Sequence, residues 1–289
     1  MKNCGYIAGI DGKTSETPEY LERPDTHHQK TPLSMKKIIS SAIAMLLCTL
    51  ASAQVNVQFH YDLGRSLYTE REANRPNVTT TVEMFRPDKL GSTFFFVDFD
   101  YFSDGVGGAY WEVSREHTLA SGGEQSSFAA HIEYNGGLSI NKYTNFGSRF
   151  QQAALIGPAW NWHSADFSKT FSFQAMYKQY FKKDNLDALA SFQATAVWGV
   201  TFAKGLCTCS GFADLWYGYT SEFDSNFNQK KGLVFLTEPQ LWFNVMGKGR
   251  QNDKLSVGTE IEISNNFIFP DAQKKYFFVN PTIALKYTF

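Results

Sequence analysis

The last segment of the chain alternates apolar and polar positions down to its final residue. Val279, Pro281, Ile283, Leu285, Tyr287 and Phe289 take every second place, with Asn280, Thr282, Lys286 and Thr288 between them. A period of two marks a strand with one greasy face and one polar face. Similar alternation recurs in about twelve segments, an even number, as in single-chain bacterial barrels. In the first, Val55, Val57, Phe59 and Tyr61 oppose Asn56, Gln58, His60 and Asp62, and residues 78–85 form the second. In the third, Thr93, Phe95, Val97, Phe99 and Tyr101 oppose Phe94, Phe96, Asp98 and Asp100; in the fourth, Tyr110, Glu112 and Ser114 oppose Trp111 and Val113. The fifth sets Phe128, Ala130, Ile132 and Tyr134 against Ala129, His131, Glu133 and Asn135.

The sixth segment, 151–162, is the weakest, because Gly157 and Pro158 both depress a strand interior. The seventh opposes Phe171, Phe173, Ala175 and Tyr177 to Ser172, Gln174, Met176 and Lys178; the eighth opposes Ala190, Phe192, Ala194, Ala196, Trp198 and Val200 to Ser191, Gln193, Thr195 and Gly199. The ninth spans 212–220. The tenth runs Leu233, Phe235, Thr237, Leu241 and Phe243 against Val234, Leu236, Glu238, Gln240, Trp242 and Asn244. The eleventh runs Leu255, Val257, Thr259, Ile261 and Ile263 against Ser256, Gly258, Glu260, Glu262 and Ser264. Between them, stretches such as 71–76, 184–187, 224–231 and 247–254 carry the Gly, Pro, Asn, Asp and charged residues of solvated turns.

Lys36 and Lys37 follow Met35, and an apolar run over 38–50 leads into Ala51, Ser52 and Ala53. A basic start, an apolar middle and small residues before Gln54 are the layout of a cleaved secretory signal. The run is shorter than the roughly 20 apolar residues that a helical anchor needs. Residues 1–34 are polar and carry Pro18, Pro24 and Pro32, so they read as a disordered extension upstream of the true start. The domains expected are therefore extension 1–34, signal peptide 35–53 and barrel 54–289. The barrel residues allow about twenty per strand and connection, enough for the ~9–11 that a tilted spanning strand requires.

Composition agrees with a barrel that hides from hydropathy analysis. Mean hydropathy is −0.31, and no stretch beyond the signal offers about 18 uninterrupted apolar residues, which excludes a bundle of membrane helices. Aromatic residues make up 16% of the chain, with 26 Phe, 14 Tyr and 6 Trp, a supply suited to interfacial girdles. A formal net charge of −1 gives no electrostatic case for binding a nucleic acid polymer. Cys207 and Cys209 are the cysteines beyond the signal. Their spacing points to a turn or loop holding either a local disulfide or two free thiols, and two thiolates without further ligands at zinc spacing make no metal site.

The polar faces carry the candidate chemistry. Buried carboxylates cost several kcal/mol each unless paired, whereas a water-filled bore removes that penalty. Asp98, Asp100, Glu112, Glu133, Glu238, Glu260 and Glu262 would then line the inside together with Phe94, Phe96, Tyr110 and Trp242. Aromatic faces can stack on a flat solute while carboxylates accept hydrogen bonds from its hydroxyls. A bore filled by a rigid charge network, in a structural or receptor barrel, is the competing reading. A lipid hydrolase of the barrel wall would need His and Ser on one face, but His163 and Ser164 are adjacent, His131 neighbours Glu133 and His60 neighbours Asp62. No enzyme, no cofactor and no metal are expected.

The run Phe94-Phe95-Phe96-Val97-Asp98-Phe99-Asp100-Tyr101, the run Ala109-Tyr110-Trp111-Glu112-Val113-Ser114 and the terminal Lys286-Tyr287-Thr288-Phe289 resemble the nucleoside-specific outer-membrane channel (Tsx-like) family. The resemblance spans the whole mature chain, with short, degenerate motifs, and differs in the loops and in Cys207 and Cys209, as a divergent branch would. It implies an all-β, monomeric, twelve-stranded barrel with a narrow lumen passing nucleosides. It also implies a C-terminal insertion signal, Tyr287 and Phe289, read by the barrel assembly machinery. The expected setting is the bacterial outer membrane, with its lipid and lipopolysaccharide as partners.

Overall fold

The computed structural model describes residues 54–67, 75–140, 146–183, 186–226, 228–245, 254–268 and 276–289. The expected extension 1–34 and signal peptide 35–53 lie outside the described residues, as do parts of the turns expected at 71–76, 184–187, 224–231 and 247–254. The strands are β1 Gln54–Asp62, β2 Val78–Asp88, β3 Gly91–Phe102, β4 Gly105–Ser121, β5 Ser126–Ile140, β6 Gly147–Arg149 and β7 Ala153–His163. They continue as β8 Lys169–Tyr180, β9 Leu189–Phe202, β10 Cys207–Phe223, β11 Gln229–Thr237, β12 Gln240–Asn244, β13 Leu255–Asn265 and β14 Phe277–Thr288. One short helix, Gly64–Leu67, follows β1.

All strands pair antiparallel in a single sheet, and β1 pairs with both β2 and β14, which closes it. β6 extends the pairing that β7 makes with β5, and β11 and β12 both lie between β10 and β13. Counted as spans, β6 with β7 and β11 with β12 are one each, so the wall crosses twelve times. These spans coincide with the twelve alternating segments of the sequence.

Register sorts the two faces. Directly opposed residues in an antiparallel pair share a face. Val57 opposes Val82 and Tyr287, while Gln58 opposes Thr81 and Lys286. The first set looks outward and the second inward. Outward side chains are apolar and open to the surroundings: Ile283 is 60% exposed, Tyr61 56%, and Phe59, Phe128, Ile132, Tyr177 and Phe192 are similar. Among the described residues no helix is long and apolar enough to cross a membrane; the crossing is by strands. A closed antiparallel wall with an apolar outer face is a transmembrane barrel of the bacterial outer membrane.

Gly157 and Pro158 sit inside β7 without breaking it. Residues 157 and 158 have no paired partners on β8, although the register before and after them is continuous, so the missing N–H of Pro158 falls where no ladder bond is required. Gly157 allows a close approach at the same point: a Cβ there would lie 2.1 Å from the carbonyl oxygen of Ala175. The two residues that weaken the segment on paper are thus the ones its neighbour demands.

Cys207 and Cys209 depart from expectation. They begin β10 rather than occupying a turn, pair with Phe202 and Val200 on one side and with Phe243 and Leu241 on the other, and are free thiols. The turn is complete just before them, where Ala203, Lys204 and Gly205 take positive φ. On an extended strand, side chains two residues apart run parallel, which does not bring the sulfurs into disulfide geometry.

Gly157→Ala is expected to destabilise the refolded barrel by about 1–3 kcal/mol, because β8 must move away from β7. The urea midpoint in detergent micelles reads this. An unchanged midpoint would show that the close approach is dispensable.

Candidate functional site

The inward face is built by the same alternation. Asp100 and Asp98 oppose Thr79 and Thr81, Phe96 opposes Glu83 and Glu112, and Asp98 opposes Tyr110. Glu112 opposes Asn135 and Glu133 opposes Ser114. Gln240 opposes Glu260, Trp242 opposes Gly258 and Glu262 opposes Asn280. Glu238, at the break between β11 and β12, interacts electrostatically with Glu260, Glu262, Asp98 and Asp214. By register these side chains lie on the inner face of the wall, and carboxylates from well-separated strands interact across it.

A hydrogen-bond network orients these carboxylates. Near the end of the barrel away from the termini, Arg75 donates to Asp62 at 2.5 Å, Thr79 to Asp100 at 2.7 Å and Asn280 to Glu262 at 3.0 Å. At mid-height Thr81 donates to Asp98 (2.5 Å), Tyr110 to Glu112 (2.6 Å), Gln240 to Glu260 (2.6 Å) and Thr195 to Asp214 (2.5 Å). On β5, His131 lies 3.2 Å from Glu116 through Nδ1 and 3.2 Å from Glu133 through Nε2. Only the imidazolium can donate from both nitrogens. Asn161 and Gln174 also donate to Glu116.

Exposure divides the bore. Asn56, Gln58 and His60 on β1 are buried, with Gln58 at 2%, and they bond to one another: Gln58 donates to Asn56 at 2.8 Å, and His60 Nε2 lies 3.1 Å from Gln58. Asp98, Asp100, Glu112, Glu238, Glu260, Glu262 and Asp214 instead retain partial exposure, although they point into a closed wall. These carboxylates are thus less tightly covered than the β1 trio, although all of them lie inside the wall.

The aromatic rings divide likewise. Phe94 and Phe96 (centroids 6.0 Å apart), Phe96 and Tyr110 (5.9 Å) and Tyr110 and Phe150 (6.2 Å) form a continuous ladder beside Asp98 and Glu112. Phe150 comes from the break between β6 and β7 and lies over Gly137, where a Cβ would stand 2.3 Å from its ring. Trp242 is different. It is 1% exposed, lies under the Lys286 ammonium at 4.1 Å, donates its indole N–H to Gln240 at 2.9 Å and meets His60 edge-on. It therefore belongs to the packed wall.

The inward faces of β7 to β11 supply a third material. Ala153, Leu155, Met176, Tyr180, Trp216 and Val234 form a buried apolar cluster, with Leu189 and Leu236 against it. Lys178 borders it, its ammonium 5.0 Å from the Tyr180 and Trp216 ring centroids, 2.7 Å from Gln193 as donor, and in electrostatic contact with Glu112, Glu133 and Asp214. One part of the interior thus packs hydrocarbon, while the carboxylates on the other strands keep partial exposure.

Sequence reasoning had not picked out Asp214, Phe150, the Asp62–Arg75 pair or Lys178 as members of this site. Asp214 and Lys178 were within reach of the alternation, since Phe212, Asp214 and Trp216 share one parity and Lys178 was already on the polar face. Phe150 had no such signal, because it leaves the ladder at a strand break.

A family model described as "Domain of unknown function (DUF5020)" matches residues 53–289. No curated protein matches the chain. Among solved structures, Acinetobacter baumannii OccAB3 aligns over 74% of this chain and 55% of its own, at 9% identity and a TM-score of 0.38. The outer membrane protein OprD from Pseudomonas aeruginosa aligns over 74% of this chain and 60% of its own, at 8% identity and a TM-score of 0.36. The chain thus spans little more than half the length of these two proteins. The Acinetobacter baumannii outer membrane protein Omp33 aligns over 82% of this chain and 97% of its own, at 13% identity and a TM-score of 0.34.

Lys178→Met preserves the stem against Tyr180 and Trp216 but removes the charge facing three carboxylates. Leaving buried charge uncompensated should cost about 3 kcal/mol, read as a lower urea midpoint in micelles. Equal midpoints would mean that water already screens these carboxylates from one another.

Proposed function

The chain belongs to the DUF5020 family, and from that premise we propose that it is an outer-membrane channel for diffusion of small polar solutes, with nucleosides the favoured class. The observation that supports this reading is the strip of partly exposed carboxylates running beside an aromatic ladder inside a closed wall. A flat base can lie against Phe96 and Tyr110, where ring faces offer stacking without demanding one orientation. Hydroxyls of an attached sugar can donate to Asp98, Asp100 or Glu112, replacing the water that these carboxylates otherwise hold. Glu133, Glu238, Glu260 and Glu262 would continue the polar lane, and Phe94 would extend the ladder. No chemical step is required of the protein, and the chain works as a passive conduit.

The apolar cluster on β7 to β11 favours a second reading, a structural or receptor barrel whose lumen is closed. Planar-bilayer recording of the refolded protein separates the two. Discrete conductance steps that shrink with added nucleoside are expected. A silent bilayer would remove the channel reading, and block by sugars in place of nucleosides would change the solute class.

The end of the chain serves assembly on this proposal. Phe289 is 66% exposed, its N–H donates to the Val55 carbonyl at 3.0 Å, and its ring meets Tyr287 edge-on at 5.2 Å. An outward aromatic pair on the closing strand is available to the barrel assembly machinery before closure. Deleting Phe289 is expected to lower the folded, heat-modifiable fraction in the outer membrane several-fold while leaving single-channel conductance unchanged. A normal folded fraction would end the assembly role.

A further inference from the structure

Like charges dominate the wet half of the bore. At the mouth away from the termini, Asp100 and Glu262 each interact with Asp62 and with Arg75, which also pairs with Asp62. Asp62 faces inward from β1 and is 5% exposed; one carboxylate oxygen takes Arg75, while Oδ1 has no hydrogen-bond partner among the described residues. Deeper in, Asp98, Glu238 and Glu260 share one electrostatic neighbourhood, and their direct hydrogen-bond donors are neutral: Thr81 for Asp98 and Gln240 for Glu260. Glu112, Glu133 and Asp214 share Lys178. Among the described residues the inward basic groups also include Lys286, set over Trp242, His131, held between its own two carboxylates, and the buried His60, 3.6 Å from Glu260.

Resting on the channel reading above, we propose that the bore selects by charge: it admits cationic and neutral solutes and rejects anions, so that an ammonium or guanidinium group is favoured and a phosphorylated solute is excluded. Carboxylates gathered inside a closed wall focus a negative potential that concentrates counter-ions. An entering cation supplies positive charge that the protein itself provides sparingly. It also finds the aromatic ladder of Phe94, Phe96 and Tyr110 along the same side, where ring faces attract positive charge. The buried, unpartnered oxygen of Asp62 lies in this lane, and the apolar cluster on the opposite wall keeps a solute from passing around it.

The test is the reversal potential of the refolded full barrel in a planar bilayer under a KCl gradient. A K⁺ over Cl⁻ permeability ratio on the order of tenfold is expected, falling severalfold in the Asp98→Asn, Glu238→Gln, Glu260→Gln triple variant. Single Glu238→Gln and Asp98→Asn variants carry the measurement if the triple variant does not fold. Conductance with a ratio near one, or with Cl⁻ preferred, overturns the selectivity and leaves the channel reading standing. A wild-type preference that survives in every variant overturns the assignment to these carboxylates. A bilayer silent in every salt removes the channel reading and this inference with it.

Discussion

Everything in this molecule depends on the pairing of β1 with β14. Lipid offers no hydrogen-bond partner to a peptide group, so a sheet crossing a membrane must have no edge. From Asn56 against Thr288 to Asp62 against Thr282, the first and last strands supply each other's missing neighbour. The Phe289 N–H adds one further bond, to Val55. Once the sheet is closed, the strict period of two gives each strand one face to lipid and one to the interior. The polar residues that a soluble sandwich would place in water have nowhere to go but inside.

That constraint explains the composition of the bore. A small barrel can fill its interior with side chains or leave it wet, and this chain does both. Inward residues of β7 to β11 include a hydrocarbon cluster whose burial resembles that of a soluble core. Inward faces of β13 and of β2 to β5 carry carboxylates with neutral hydrogen-bond donors beside the aromatic ladder, and Asp98, Glu112 and Glu260 among them keep partial exposure. Lys178 stands at the seam with its stem against two aromatic rings and its charge toward Glu112, Glu133 and Asp214. A long amphipathic side chain is well suited to such a boundary.

Alternation made most of this legible before any coordinates, because a one-residue slip would turn each strand inside out and lipid does not tolerate the result. The twelve spans, their facing and the inward carboxylates follow from parity alone. What parity does not carry is everything set by a break in the ladder. Pro158 reads as a strand breaker until the unpaired stretch of the β7–β8 ladder is known. Phe150 enters the bore only because the chain interrupts itself between β6 and β7, and Cys207 and Cys209 read as a turn because the turn ends just before them. Depth is invisible too: Trp242 and Phe96 have the same parity and similar chemistry, yet one is sealed beneath Lys286 and the other keeps some exposure.

The difference between Trp242 and Phe96 extends to the hydrogen-bonding groups around each ring. Around Trp242, the inward residues Gln58, His60, Gln240 and Lys286 satisfy one another or cover the ring, so that side has become wall. Around Phe96 and Tyr110, the carboxylates of Asp98 and Glu112 take one direct hydroxyl bond each, from Thr81 and Tyr110. An ionised carboxylate accepts several hydrogen bonds, so acceptor capacity is left over along the ladder and little remains at the wall. The two sides of the interior therefore differ by saturation as much as by shape: unused acceptors remain only on the side where the protein has not already supplied their partners.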